Sequence, residues 1–215
     1  MFFPMVRNQA DSATASTPLR SFLKRNSSRT LFRYPMSSLQ EHLAKQQPET
    51  SGIHEAMALH TENVFDEFAG ILPLFLGKRK LGSFVTLALP TEVTGSRDLL
   101  NSCLADLISA YDFRMVSFVS AIRAHSETDQ EPRLGAILIT ADNAKNLYQL
   151  PWILEFDSQE NLTNHTRSEA TGEIIPSGVW LSYFQQSRDT NEKQSAYNRL
   201  LEIFGDASLL PDFSA

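Results

Sequence analysis

The chain has 215 residues, 42% of them apolar and 20% charged, a balance that suits a water-soluble core and excludes fibrous and collagen-like classes. Its apolar stretches are short: Ile71 to Leu76 is interrupted by Pro73 and falls far short of the roughly 20 residues that span a bilayer. A single cysteine, Cys103, excludes an intrachain disulfide and a thiolate zinc site, so packing must hold the fold.

The net charge of −6 conceals a polarity: residues 1–45 carry +5, and the remainder carries −11. The basic stretch (Arg7, Arg20, Lys24, Arg25, Arg29, Arg33 and Lys45 against Asp11 and Glu41) is rich in Ser, Thr, Asn and Gln. Its apolar residues follow neither the helical nor the strand period for long, so it lacks the apolar surface that would offset the entropy of ordering. Residues 1–50 are therefore expected to form a flexible, disordered basic arm, with a short helix around Ser38 to Gln46. Four readings of the arm stand side by side: a solvated tail, a mitochondrial leader cleaved from residues 1–35, a patch for nucleic-acid phosphates or anionic surfaces, and an extension upstream of a true start at Met36. The expected compartment is the cytoplasm, or the mitochondrion on the leader reading.

From residue 51 to 215 the pattern is that of one compact domain. Met57, Val64, Phe65, Phe68, Ile71, Leu72 and Phe75 recur at three- and four-residue steps, which predicts an amphipathic helix from His54 to about Leu72, ended or kinked by Pro73. Gly77, Lys78, Arg79 and Lys80 read as a basic connection into Leu81 to Leu89. That run is apolar on both faces, as in a central strand covered on both sides. Turn residues Thr91 to Ser96 then lead, with Ser96 as N-cap, into a helix marked by Leu99, Leu100, Cys103, Leu104, Leu107, Ile108 and Tyr111.

Two strands, Arg114 to Ala124 and Leu134 to Thr140, are joined by a loop too short for a crossover helix and so should pair antiparallel. After a turn at Asp142 and Asn143, a strand is predicted at Trp152 to Phe156, a polar loop from Asp157 to Thr171, and a last strand from Val179 to Phe184. A final helix carries Tyr197, Leu200, Leu201 and Phe204 and is stopped by Gly205, with Leu209, Leu210 and Phe213 folding back onto the body. The expected class is α+β, a mainly antiparallel sheet of about five strands with three flanking helices.

Chemical motifs are sparse. Gly77-Lys78 resembles the end of a phosphate-binding loop, but no earlier glycine supplies the amide cradle. Gly95, Ser96 and Arg97, at a helix start, form a candidate anion site, with a plain helix cap as the alternative. His54 and His60 are six residues apart, off a common helical face, and a zinc helix needs two histidines at four-residue spacing. Glu62, Asp66 and Glu67 share a helix face, read as solvated or cation-binding. Cys103 lies on an apolar stripe and reads as core. Asp142 is a turn former first and a candidate carboxylate second.

No catalytic constellation, cofactor or metal is expected. Lys78, Arg79 and Lys80 are candidate contacts for an acidic partner surface; Trp152 and Trp180 read as core, or as partner anchors if their faces are bare. The sequence thus predicts a non-enzymatic accessory or regulatory protein that acts by binding another macromolecule, a protein before any other. The alternative is a small-ligand or anion sensor, or a small enzyme, with a pocket joining Ser96 and Arg97 to Asp142 and Lys145.

Overall fold

The protein is described by a computed structural model over residues 36–45, 49–124, 133–159, 161–168 and 188–213, together with positions 182 and 184. Helices α1 (Met36–Lys45) and α2 (Thr50–Phe68) lead into strands β1 (Leu74–Arg79) and β2 (Phe84–Ala88). A short helix α3 (Thr91–Thr94) and the long α4 (Arg97–Tyr111) precede β3 (Phe113–Ala124), β4 (Arg133–Asp142), β5 (Leu147–Phe156) and β6 (Leu162–Arg167). Helix α5 (Thr190–Phe204) and a 3-10 turn at Ala207–Leu209 follow.

The strands of the described residues form one six-stranded sheet in the order β2-β1-β3-β4-β5-β6, every neighbouring pair antiparallel, so the class is α+β with one strand more than about five. Side chains alternate across it and feed two cores. Leu74, Leu76, Met115, Val119, Leu138, Trp152 and Leu154 pack against α1 and α2 through Leu39, Ile53, Met57, Val64 and Phe65. Phe75, Leu87, Val116, Phe118, Ile137 and Ile139 pack on the other face against α4 and α5, through Cys103, Leu104, Leu107, Ala196 and Leu200. Each large side chain so buried contributes about 1.5–3 kcal/mol, and the sheet is stabilised from both sides.

The chain leaves α2 earlier than the three- and four-residue spacing predicts. Ala69 takes the left-handed conformation (φ 48°) and its N–H donates to the Phe65 carbonyl, closing the helix at Phe68. Ile71 and Leu72 are core residues of the α2 side, but they sit in the connection, and Phe75 alternates onto the opposite face within β1. The basic connection predicted at Gly77 to Lys80 is for the most part strand: Gly77, Lys78 and Arg79 complete β1. Gly77 is needed there because the Phe113 ring lies 2.6 Å from where a Cβ would stand. Arg114 is an extra residue opposite the Lys78/Arg79 step, a bulge that turns both Phe113 and Val116 toward α4 although they are three apart.

Two further expectations need correction. The run from Leu81 to Leu89 is a short edge strand, because Leu81 and its neighbours form the tip of a hairpin and β1 pairs only the inner side of β2. The polar stretch from Asp157 to Thr171 contains β6, which forms the opposite sheet edge and is polar after Leu162. The strand expected at Val179 to Phe184 lies outside the described residues apart from Ser182 and Phe184, which carry 3-10 backbone. The basic stretch of residues 1–35 also lies outside them, whereas α1, within the expected arm, packs its buried Leu39 into the α2-side core. The antiparallel β3–β4 pairing, the Ser96 cap, the stop at Gly205 and the return of Leu210 and Phe213 onto the body are as predicted. No described helix is long and apolar enough to cross a membrane.

Candidate functional site

The β1–β2 hairpin carries three of the basic candidate residues, Lys78, Arg79 and Lys80, of which Lys80 is exposed. Its three-residue loop, Lys80-Leu81-Gly82, is closed by the Arg79 N–H donating to the Ser83 carbonyl at 2.9 Å and the Gly82 N–H to the Arg79 carbonyl at 3.0 Å. Gly82 takes φ +90°, and a left-handed glycine after a tight turn is what lets such a loop match the strand twist. At the tip Leu81 is 95% exposed, with Lys80 exposed beside it. Phe84, 39% exposed, begins the edge strand, and the Lys78 ammonium lies 5.6 Å from the centre of its ring. Arg79 is turned inward: its guanidinium sits 5.4 Å from the Tyr111 ring centre and donates from Nη2 to the Asp212 carbonyl at 3.0 Å. Two cations thus face the tip, and one clamps the hairpin to the end of the chain.

Among the described residues nothing covers the edge itself. The 79/83 bond and the Leu89 N–H bond to the Pro73 carbonyl fix which β2 residues bond inward, namely Ser83, Val85, Leu87 and Leu89. Phe84, Thr86 and Ala88 direct their N–H and C=O groups outward, where no hydrogen-bond partner meets them among the described residues. Phe84 and Ala88 are exposed, and no proline or charged residue interrupts Phe84–Ala88. The opposite edge differs: Arg167 of β6 donates to Glu62 and Glu55, and His165 bonds Asp66 at 2.9 Å, tying that edge to α2.

The other candidates lie elsewhere. Ser96 caps α4 by accepting from the Leu99 N–H at 3.4 Å, with Gly95 and Arg97 exposed beside it. Asp142 lies near the opposite end of that fifteen-residue helix, since Asn143 donates its N–H to Arg114 just beyond Tyr111. About 22 Å of helix separates Ser96 from that end, so the structure does not bring Ser96 and Arg97 together with Asp142 and Lys145. Asp142 accepts from the amides of Ala144 and Asn146, from the Asn146 side chain and from the Thr50 hydroxyl. Burial pushes its carboxyl upward, but these donors outweigh burial and hold it below the ordinary aspartate value. Lys145 is exposed on the same turn.

Trp152 is 1% exposed and packs edge-on against Phe65, so it belongs to the core and is not an anchor on an open face. Trp180 lies outside the described residues. Glu62, expected on a solvated face, accepts from Trp152 Nε1 at 3.0 Å and from Arg167. Burial raises its carboxyl, and the bonds from Arg167 and Trp152 bring it below the ordinary range. Cys103 is fully buried, and its thiol is pushed up to about 12 by burial and then by Asp106. Among the described residues no three metal-ligating side chains cluster.

A polar hollow of about 550 Å³ between α4 and α5 is lined by Asp106, Arg188, Glu192 and Arg199, with Ser102 and Ser195 among the small residues of its wall. Arg199 grips Asp106 through both carboxylate oxygens, with the shortest contact at 2.6 Å, and joins the two helices.

Sequence reading identified the basic residues of the hairpin and missed Leu81, Phe84, Thr86 and Ala88. The available signal was the Lys-Leu-Gly loop between two apolar runs, a hairpin signature overridden by reading Leu81 as strand. Comparison with protein-family models, curated proteins and solved structures finds no match to the chain.

Proposed function

We propose that this chain is a non-enzymatic accessory or regulatory protein that acts by binding another protein through the β1–β2 hairpin. The observation that carries the reading is the exposure of Leu81 beside Lys80 at the tip of a clamped hairpin, with exposed Phe84 following. An apolar side chain held in water on a fixed scaffold costs solvation and is recovered when a partner covers it. The surrounding charge supports the same reading: residues 46–215 carry −11, whereas 77–91 hold three basic groups and no acidic one. A reducing compartment such as the cytoplasm fits the lone buried thiol.

The test is site-specific photo-crosslinking of the full chain in extract from its own cells. A photoreactive residue replaces Leu81 in one variant and Asn198, exposed on α5, in another. One discrete protein adduct should form at position 81, weaken with Lys80→Glu, and be absent at position 198. Equal labelling at both positions, or none at 81, removes the reading.

A further inference from the structure

The outward groups of Phe84, Thr86 and Ala88 form a row of donors and acceptors with the spacing of a strand, and they are already positioned by β1. We infer that β2 accepts an extended segment of a partner protein as a seventh strand, and that this segment carries acidic residues where it passes the hairpin tip. The inference rests on the partner-binding reading above and specifies how that contact is made.

Three features lead to this occupant. An added strand satisfies backbone groups that no other described residue meets, so main-chain bonds supply the affinity and flanking side chains the selectivity. Phe84 and Ala88 lie on the same face and are both exposed, so apolar or β-branched residues of the incoming strand gain cover beside them. The end of the edge is basic, with Lys80 exposed and Lys78 over the Phe84 ring, in a segment without an acidic residue. A partner strand with carboxylates at that end gains attraction, and a lysine-bearing strand is repelled. Natural sheets commonly guard an edge with a charge or a proline within the strand, and Phe84–Ala88 has neither. The β6 edge differs in carrying Arg167 within the strand, the kind of charged residue that Phe84–Ala88 lacks.

The experiment uses the full chain and a short peptide rich in valine and threonine with glutamates at both ends. Its controls are the same peptide with lysines for glutamates and the same peptide with N-methyl groups on alternate amides. The glutamate peptide should bind about tenfold tighter than the lysine peptide, the sum of a few exposed ion pairs, and lose that advantage in high salt. N-methylation should abolish binding. Hydrogen exchange on the unmodified protein should show the Phe84, Thr86 and Ala88 amides becoming protected, with those of β6 unchanged. Thr86→Pro removes one outward donor without touching a β1–β2 bond and should abolish binding while the protein stays folded.

Absence of binding, equal affinity for the lysine or methylated peptide, or protection elsewhere overturns strand addition. So does a dimer in sedimentation whose Phe84, Thr86 and Ala88 amides are protected without peptide, because the occupant is then a second copy. If crosslinking at position 81 succeeds while the peptides fail, only strand addition is lost. If crosslinking also fails, the partner-binding reading goes with it.

Discussion

His54 shows how one side chain sets a pH limit on the molecule. Its Nδ1 shares a 2.8 Å hydrogen bond with the Thr140 hydroxyl, which shares another, of 2.7 Å, with Ser117, and Tyr148 lies 5.6 Å away, ring centre to ring centre. Burial, then the charge of Arg167, lowers its pKa from 6.5 to about 4, so the folded protein holds it neutral. His60 is lowered likewise to about 4 by burial and by His42. The unfolded chain takes up these protons near 6.5, so stability is complete above that value and falls as pH drops from 6.5 toward about 4. His54→Asn keeps a neutral polar atom near the Thr140 hydroxyl and removes one titration. Urea denaturation at several pH values should show a shallower decline for the variant, by on the order of 2 kcal/mol across this window. Parallel declines for the two proteins would show that His54 is not the group responsible.

Glu62 acts in a lower window. With a folded value below the ordinary 4.5, its contribution is present above 4.5 and fades as pH falls through the folded value. Replacing it with Ala leaves the Trp152 indole N–H, in a core side chain, without its acceptor, which should cost about 1–3 kcal/mol at neutral pH. A loss no greater than that of Glu67→Ala, on the exposed face of α2, would show that the indole bond contributes nothing.

At the scale of elements, the end of α2 offers a stabilising change. Ala69 occupies the left-handed region at φ 48°, where a Cβ costs about 1 kcal/mol and glycine has no such penalty. Ala69→Gly should raise the melting midpoint by a few degrees, since about 1 kcal/mol is felt as roughly 2–8 °C across domains of this general size. A lower midpoint would mean that the unfolded chain's gain in freedom outweighs the relieved strain.

The same position explains why part of the fold was illegible in the sequence. Helix ends are read from a left-handed Gly or Asn, or from Pro; here the left-handed residue is Ala69, and Gly70 and Pro73 mark the end only to within a few residues. Ile71, Leu72 and Phe75 continued the helical spacing although the chain had already turned, so the helix was carried on to Leu72 and the residues of β1 were read as a connection. β6 was unreadable for a different reason. His165 and Arg167 face α2 through hydrogen bonds to its carboxylates, and no alternation of apolar residues marks the strand. The legible elements are those dense in apolar residues: β3, β4 and the second half of α4 are buried on every side and read as nearly continuous apolar runs, and α5 buries Ala196, Leu200 and Phe204 at four-residue steps. For the hairpin, charge was visible in Lys78 to Lys80, whereas the openness of Phe84, Thr86 and Ala88 depends on strand order, which local pattern does not carry.

At the scale of the whole molecule, the two sheet edges are handled differently, and the end of the chain takes part. The Tyr111 hydroxyl donates to the Pro211 carbonyl at 2.9 Å, Arg79 donates to Asp212, and the Phe213 ring lies 4.8 Å from that of Tyr197, centre to centre. One short segment thus joins α4, α5 and the β1–β2 hairpin on the face away from α1 and α2. Ending the chain after Leu210 should therefore act locally as well as globally. Loss of the acceptor for Tyr111 should cost about 1–3 kcal/mol of stability. In native-state hydrogen exchange, the Arg79 amide, which closes the hairpin on Ser83, should open at a lower free energy than it does in the full chain. Amides of the central β3–β4 ladder should slow or quicken only in step with global stability. Were the Arg79 amide to shift by the same amount as those central amides, the segment would be a general brace, and the hairpin would owe its position to β3 alone.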